Sequence, residues 1–246
     1  MIKIITLITK FIVVTLMALF FGSCNQLGEL RSITGSGHVT TENRTVTDDF
    51  KNVEVNNAID LIIEQSDKTE IIVEADDNLQ KEITTKVENG VLIISCDTGN
   101  FINVASKKVT VKMPIIEGVQ ASSAATVNCS TPLKGTSLNL TSSSAGSITA
   151  TVEYETVHLN SSSASNQNIN GKALQLETDS SSGSVLNAGG LLANDVVAEA
   201  SSGSSISVSP ILSLRAEASS GGNISYNKTP KSIRKEEHSG GSIHQK

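Results

Sequence analysis

The feature that most restricts this chain is a short motif that returns at almost constant spacing. Ser-Ser-Ala or Ser-Ser-Gly stands at Ser122-Ser123-Ala124, Ser143-Ser144-Ala145, Ser162-Ser163-Ala164, Ser181-Ser182-Gly183, Ser201-Ser202-Gly203 and Ser219-Ser220-Gly221, with a degenerate seventh copy at His238-Ser239-Gly240. Successive starts lie 21, 19, 19, 20, 18 and 19 residues apart. Apolar residues keep phase with the motif. Five positions before it stand Leu138, Val157, Leu176, Val196, Leu214 and Ile233; five after stand Val127, Ile148, Ile206, Ile224 and Ile243, with Ile169 and Val185 slightly displaced. Ser-rich disorder has no reason to hold such a phase, and a fixed period near 20 residues marks a solenoid.

Alternation such as Leu138-Asn139-Leu140 and Leu174-Gln175-Leu176 reads as strand with one face buried. Leucine-rich repeats share the period but need a helical return segment and a Leu/Asn consensus, and no ten-residue stretch here has a helical period. The expected fold is therefore all-β, a parallel β-helix-like solenoid over residues 117–246, with the triplets as tight corners and coils stacked about 4.8 Å apart. Right-handed crossovers are the general rule for parallel strands. The charged last coil, from Ser232 onward, suits a cap over the open end.

Residues 38–116 are β-rich but irregular. Val53-Glu54-Val55, Ile59 to Ile63, Glu70 to Val73, Val91 to Ile94 and Val109-Thr110-Val111 have strand length and composition, separated by turn chemistry at Asn56-Asn57, Ser66-Asp67 and Asn89-Gly90. Asn89-Gly90 is a strong type I′ hairpin signal. A single helical turn is expected at Asp76 to Gln80.

The amino terminus has the layout of an export signal. Lys3 and Lys10 are basic, Phe11 to Phe21 is apolar apart from Thr15, and Phe21-Gly22-Ser23-Cys24 resembles the bacterial lipobox. The expectation is a signal peptide over 1–23, lipidation at Cys24 and a tether over 24–37. The competing reading is a membrane-spanning anchor, but Lys10 in its middle would cost about 2.5–3.5 kcal/mol. Loss of Lys3 and Lys10 takes the formal charge from −6 to about −8 (−6 minus two positive charges). An acidic chain is a poor nucleic-acid partner, because that binding rests on neutralising phosphates. With 3% aromatics and no Trp, a core built on large rings is excluded. Cys96 and Cys129 then remain, either as a disulfide of an exported protein or as two buried thiols.

Several stretches resemble the head GIN domain family of bacterial lipoproteins, described as auto-transporter adhesins. Gly35 to Val39 with Glu42-Asn43-Arg44 is similar to that family's opening strand. Phe50 to Val55 leads into Asn56-Asn57-Ala58-Ile59-Asp60, where the family has Gly-Ile-Asn or Gly-Ile-Asp and this chain has Ala58 for the Gly. Val73 to Leu79 followed by Glu88-Asn89-Gly90-Val91-Leu92 is the most characteristic part. The resemblance implies an all-β stack on the cell envelope with a role in adhesion, and it implies no catalytic residues.

Two positions before the triplets stand Gln120, Thr141, Asn160, Asp179, Glu199, Glu217 and Glu236. If the coils stack in register, Asp179, Glu199, Glu217 and Glu236 form an acidic column, with Arg215 and Arg234 diagonally beside it. That column is the candidate site for a cationic ligand or Ca²⁺, weighed against a solvated face partly compensated by arginine. A serine nucleophile would need an adjacent base; His158 lies four residues before Ser162 but on a strand, and Gly-x-Ser-x-Gly is missing from the sequence. Rows such as Asn139, Thr141 and Asn160 suit sugar hydroxyls or a plain polar face.

The function expected is non-enzymatic: a lipid-anchored protein of the cell envelope, at the outer membrane, facing either the periplasm or the surface. It would bind glycans, envelope or host proteins, or itself, with no cofactor and no nucleic acid. The alternative is a structural or signalling-associated component that binds another envelope protein.

Overall fold

The computed structural model describes Lys10 and residues 32–96 and 100–246. The export signal, Lys10 apart, and Cys24 lie outside the described residues. From Ser32 onward the described chain is all-β.

The repeats form the expected stack. β10 (Gly118–Ala121), β11 (Thr126–Cys129), β12 (Leu133–Ser142), β13 (Ser147–Ser161), β14 (Asn166–Ser180), β15 (Val185–Ala200), β16 (Ser205–Ala218), β17 (Asn223–Tyr226), β18 (Ser232–Glu237) and β19 (Ser242–Gln245) pair in parallel, coil upon coil. Equivalent repeat positions are direct partners: Leu138 pairs with Val157, Val157 with Leu176, Leu176 with Val196, Val196 with Leu214 and Leu214 with Ile233. The phase seen in the sequence thus becomes a core column. Its members from Leu138 to Leu214 are at most 2% exposed, and each buried side chain of this size contributes about 1.5–3 kcal/mol.

The corners are type I′ turns. Ser144 and Ala145 have φ of 48° and 62°, and the Gly146 amide donates back to the Ser143 carbonyl at 2.8 Å. Both central residues need positive φ, and the same pair of angles recurs from Ser123-Ala124 to Ser239-Gly240. Corners also bond to one another: the Ala124 amide donates to Ser144 O at 2.9 Å and the Ala145 amide to Ser163 O at 3.1 Å. Inside the corners runs a column of buried serines. Ser161 and Ser165 bond through their hydroxyls at 2.9 Å, Ser165 Oγ donates to Ser142 O at 2.9 Å, and Ser184 Oγ donates to Ser161 O at 2.8 Å. These bonds satisfy hydroxyls that would otherwise be costly to bury.

Two positions depart from the sequence reading. Val185 is not a core residue but points outward, 45% exposed, because Leu186 holds the inward position; one coil earlier that position is the fully buried Gln167. Leu174 is also outward, 53% exposed, since the strand pairing skips it where the coil bends. The 20-residue coil accommodates its extra length as a bulge around Gly189-Gly190, where the register with the next coil shifts.

The stack continues into the region before Pro114. β3 (Asn52–Val55) pairs with β10 and β4 (Asp60–Gln65) with β11, both in parallel. The chain between them, Asn57-Ala58, has φ of 61° and 52°, so the namesake motif of the resemblance is another stacked corner. Beneath this coil lie β7 (Val91–Cys96) on β3 and β9 (Lys107–Met113) on β4. The end is finished by antiparallel strands: β6 (Ile83–Glu88) on β7, β5 (Glu70–Asp76) on β9 and β2 (Val39–Arg44) on β5. Asn89 and Gly90 close the β6–β7 hairpin with φ of 52° and 78°, as the Asn-Gly signal predicts. Ser32–Thr34, within the stretch read as tether, already pairs as β1 with β8 (Asn100–Ile102). The helical turn expected at Asp76 to Gln80 is instead a pair of tight turns, with the Leu79 amide on Asp76 O at 2.8 Å and the Glu82 amide on Leu79 O at 3.0 Å. Asp76 there is the last residue of β5, and that strand pairing outweighs its local helix signal.

Neither Cys96 nor Cys129 is in a disulfide. Cys96 ends β7, on the side of the stack before the corner, and Cys129 ends β11, on the side after it. Burial pushes the Cys129 thiol up to about 12, so it is an inert group packed against the core.

Candidate functional site

Each corner separates two outward faces. On the face before the corners the predicted column forms in register: Gln120, Thr141, Asn160, Asp179, Glu199, Glu217 and Glu236 are successive partners. Glu54 of β3 extends it at the Gln120 end. The neighbouring outward column reads Asn139, His158, Glu177, Val197, Arg215 and Arg234. A groove of about 290 Å³ runs beside the acids, with Asp179, Glu199 and Glu217 on one wall and Ser162, Ser181, Ser201 and Ser219 of the corners on the other.

Like charges stacked at strand spacing repel, and the neighbouring column offsets part of this. Arg234 reaches Glu236 at 2.7 Å and His158 Nδ1 lies 2.9 Å from Glu177. Arg215 forms no ion pair among the described residues. Partial burial, followed by repulsion from Glu177, raises the Asp179 carboxyl above its ordinary value, and His158 offsets part of the rise. The acids stand in single file and do not converge: among the described residues no cluster of three metal-ligating side chains is present. The His158 imidazole is turned to a carboxylate on its own face.

The face after the corners has different chemistry. One column runs Thr126, Ser147, Asn166, Val185, Ser205 and Asn223, and the next runs Asn128, Thr149, Asn168, Asn187, Ser207 and Ser225. All are Ser, Thr or Asn except Val185, and none is ionisable. Asn187 Nδ2 donates to Asn168 Oδ1 at 3.1 Å, and Gly189 N donates to Asn187 Oδ1 at 3.3 Å. A groove of about 460 Å³ is cut into this face, lined by the buried Ser207 and Ser225 and by Ser205, Asn187, Asn223 and His244. Attention to the triplets alone misses this face. Its signal is the polar-x-polar tripeptide that follows six of the seven triplets, as in Ser147-Ile148-Thr149, Asn166-Gln167-Asn168 and Ser205-Ile206-Ser207.

A third depression of about 470 Å³ lies at the outer bend, where Leu174, Leu192 and Ile211 surround Tyr154 and Ala173. Gly135 leaves room there for the Tyr154 ring, whose hydroxyl donates to Ile116 O at 2.8 Å.

Solved structures share this fold. A putative adhesin from Bacteroides fragilis superposes with a TM-score of 0.81 at 21% identity, covering 87% of this chain and all of that one. A putative adhesin from Parabacteroides merdae gives 0.69 at 21% identity, over 87% of this chain and 99% of its own. A putative lipid binding protein from Parabacteroides distasonis gives 0.69 at 18% identity, over 88% of this chain and all of its own. No curated protein matches the chain. The family model described as "putative auto-transporter adhesin, head GIN domain" matches residues 49–230, from just before the first stacked coil to just before the last, and the chain belongs to that family.

Proposed function

We propose that this protein is a lipid-anchored adhesin of the cell envelope that acts by binding rather than by catalysis. The observation that carries this reading is the outward face after the corners, which repeats short polar side chains in register over six coils, Val185 apart. Such a surface offers many weak, equivalent contacts along one axis, which suits an extended ligand and gains from repetition. The pairing of His158 with Glu177 supports a binding role, because it directs the imidazole along the strand face instead of toward a serine hydroxyl.

The anchor is Cys24. Export through the 1–23 signal and lipidation would hold the stack at the outer membrane, and the chain would contact glycans, an envelope or host protein, or a second copy of itself. The test is expression of the native chain and of Cys24→Ser, with lipid labelling, fractionation and protease shaving of intact cells, followed by adhesion of the cells to coated glycans and proteins. Lipid incorporation at Cys24, loss of the protein on shaving and reduced adhesion without it are expected. A soluble, unlabelled native protein, or unaltered adhesion after its deletion, would overturn the reading.

A further inference from the structure

We propose that the groove on the face after the corners is a binding site for an uncharged glycan chain lying along the solenoid axis. The proposal rests on the adhesion reading and deepens it by assigning the face and the ligand class. Three observations lead to it.

The lining comes first. Ser205, Ser207, Asn223, Ser225 and Asn187 supply hydroxyls and carboxamides, groups that both donate and accept hydrogen bonds. That is the chemistry of a polyol, whose vicinal hydroxyls also do both. The columns themselves hold no ionisable side chain from Thr126 to Ser225, and no acid lines the groove to attract a cationic polymer. Among the lining residues only His244 and Lys246 are ionisable, and Lys246 Nζ donates to Ser207 Oγ at 3.4 Å.

The geometry comes second. Equivalent side chains on successive coils are separated by the strand spacing of about 4.8 Å, close to the length of one pyranose unit. Successive sugars would therefore meet equivalent donors and acceptors on successive coils. Asn187 is held in place, its Nδ2 donating to Asn168 Oδ1 at 3.1 Å and its Oδ1 accepting the Gly189 amide at 3.3 Å.

Shape comes third. Ser207 and Ser225 are 8% and 5% exposed although they point outward, so they form a recessed floor rather than a flat sheet. Val185, 45% exposed in the same lining, adds an apolar contact for the carbon face of a ring. The acidic face on the other side of the corners has neither the neutrality nor an apolar element in its groove wall beyond Ala200.

The experiment applies the full-length protein to an immobilised panel of neutral, acidic and amino-bearing oligosaccharides at low and high salt. Expected is binding to neutral members, insensitive to salt because no ion pairs are involved. Asn187→Asp and Ser205→Asp should weaken it by about tenfold or more, since each places an unpaired charge against the ligand. Glu199→Gln and Glu217→Gln should leave it unchanged, and matched thermal melts would establish that all four variants fold. Salt-sensitive binding to amino-bearing members, lost in the glutamine variants, would overturn the groove assignment while leaving the adhesion reading intact. Adhesion to protein-coated surfaces with no glycan binding would do the same. Loss of adhesion of every kind would remove both.

Discussion

Lys107 Nζ donates to the backbone carbonyl of Asn57 at 2.6 Å. This bond ends a ladder. The Ala58 amide reaches Ser123 O at 2.8 Å, and corner bonds of the same sense run through the stack as far as the Gly203 amide on Ser220 O at 3.1 Å. Asn57 O is the acceptor left over at the first corner, because the coil below has no corner to donate to it. The ammonium of Lys107 takes that place and also lies 4.9 Å from the Phe101 ring. Burial lowers the pKa of this ammonium, with Cys96 and Asp60 partly opposing the effect.

Lys107→Met should therefore destabilise the protein by about 1–3 kcal/mol, the range for a lost charge-assisted bond or an unsatisfied buried group. Lys108→Met, which breaks a more exposed pair with Glu74 at 2.7 Å, should cost no more than about 1 kcal/mol. Urea unfolding of the two variants checks the contrast, and equal losses would refute the capping role.

Ala58, Ala145 and Ala164 hold φ of 52°, 62° and 59° at the corner position that later coils give to Gly183, Gly203 and Gly221. The left-handed conformation costs a non-glycine residue about 1–2 kcal/mol, while glycine's greater freedom when unfolded takes back roughly 0.5–1 kcal/mol. Each Ala→Gly change should stabilise by about 0.5–1 kcal/mol, read as a higher melting temperature. Gly171→Ala should do the opposite and by more than about 3 kcal/mol, since φ is +122° and an added Cβ would lie 1.9 Å from Val152 O.

Asp179→Asn should stabilise the protein near neutral pH, and the gain should vanish in acid. A carboxyl whose pKa is raised by folding ionises more readily in the unfolded chain. Its contribution is thus most favourable below the ordinary aspartate value of about 3.9 and is lost as pH rises through the raised folded value. Melting curves at pH 7 and near pH 3 test this; a gain that persists at the lower pH would contradict the assigned cause.

The last coil closes the open end with charge. Lys235 and Glu237 occupy the inward positions held one coil earlier by Ala216 and Ala218. Lys235 lies 4.7 Å from the Tyr226 ring, and Glu237 Oε1 accepts the Ile243 amide at 2.6 Å. Inward charges on a terminal strand discourage further pairing. Lys235→Ala with Glu237→Ala, which restores the interior pattern, and truncation from Lys231 onward should both promote association, measured by sedimentation and light scattering. Monodisperse variants at the concentrations where the parent is monodisperse would remove the cap.

Much of the candidate site was legible because local order and register coincide within the repeats. Asp179, Glu199, Glu217 and Glu236 stand at one offset from the triplet, so any in-register stack must align them. Ile169 is a core residue as its phase suggests; Val185 is not, because Ser184 just after the corner turns inward and sets Val185 outward and Leu186 inward. The groove on the opposite face stayed hidden, since Ser and Asn there look like the generic polar half of an alternating strand. Its recess depends on the Gly189-Gly190 bulge and on the way the carboxy-terminal residues flank it.

The sequence by itself determined the solenoid, its corners and its core columns, because each coil repeats one local pattern of alternation followed by a turn. Tertiary structure alone decided where the stack begins. β3 and β4 form a coil under β10 and β11, but residues 66–117 intervene and fold back as the antiparallel end. Pairing across that insertion has no periodic trace along the chain. It follows from the unpaired edges of the first repeat coil, whose backbone groups β3 and β4 satisfy, and from Lys107, which completes the corner that Asn57 and Ala58 begin.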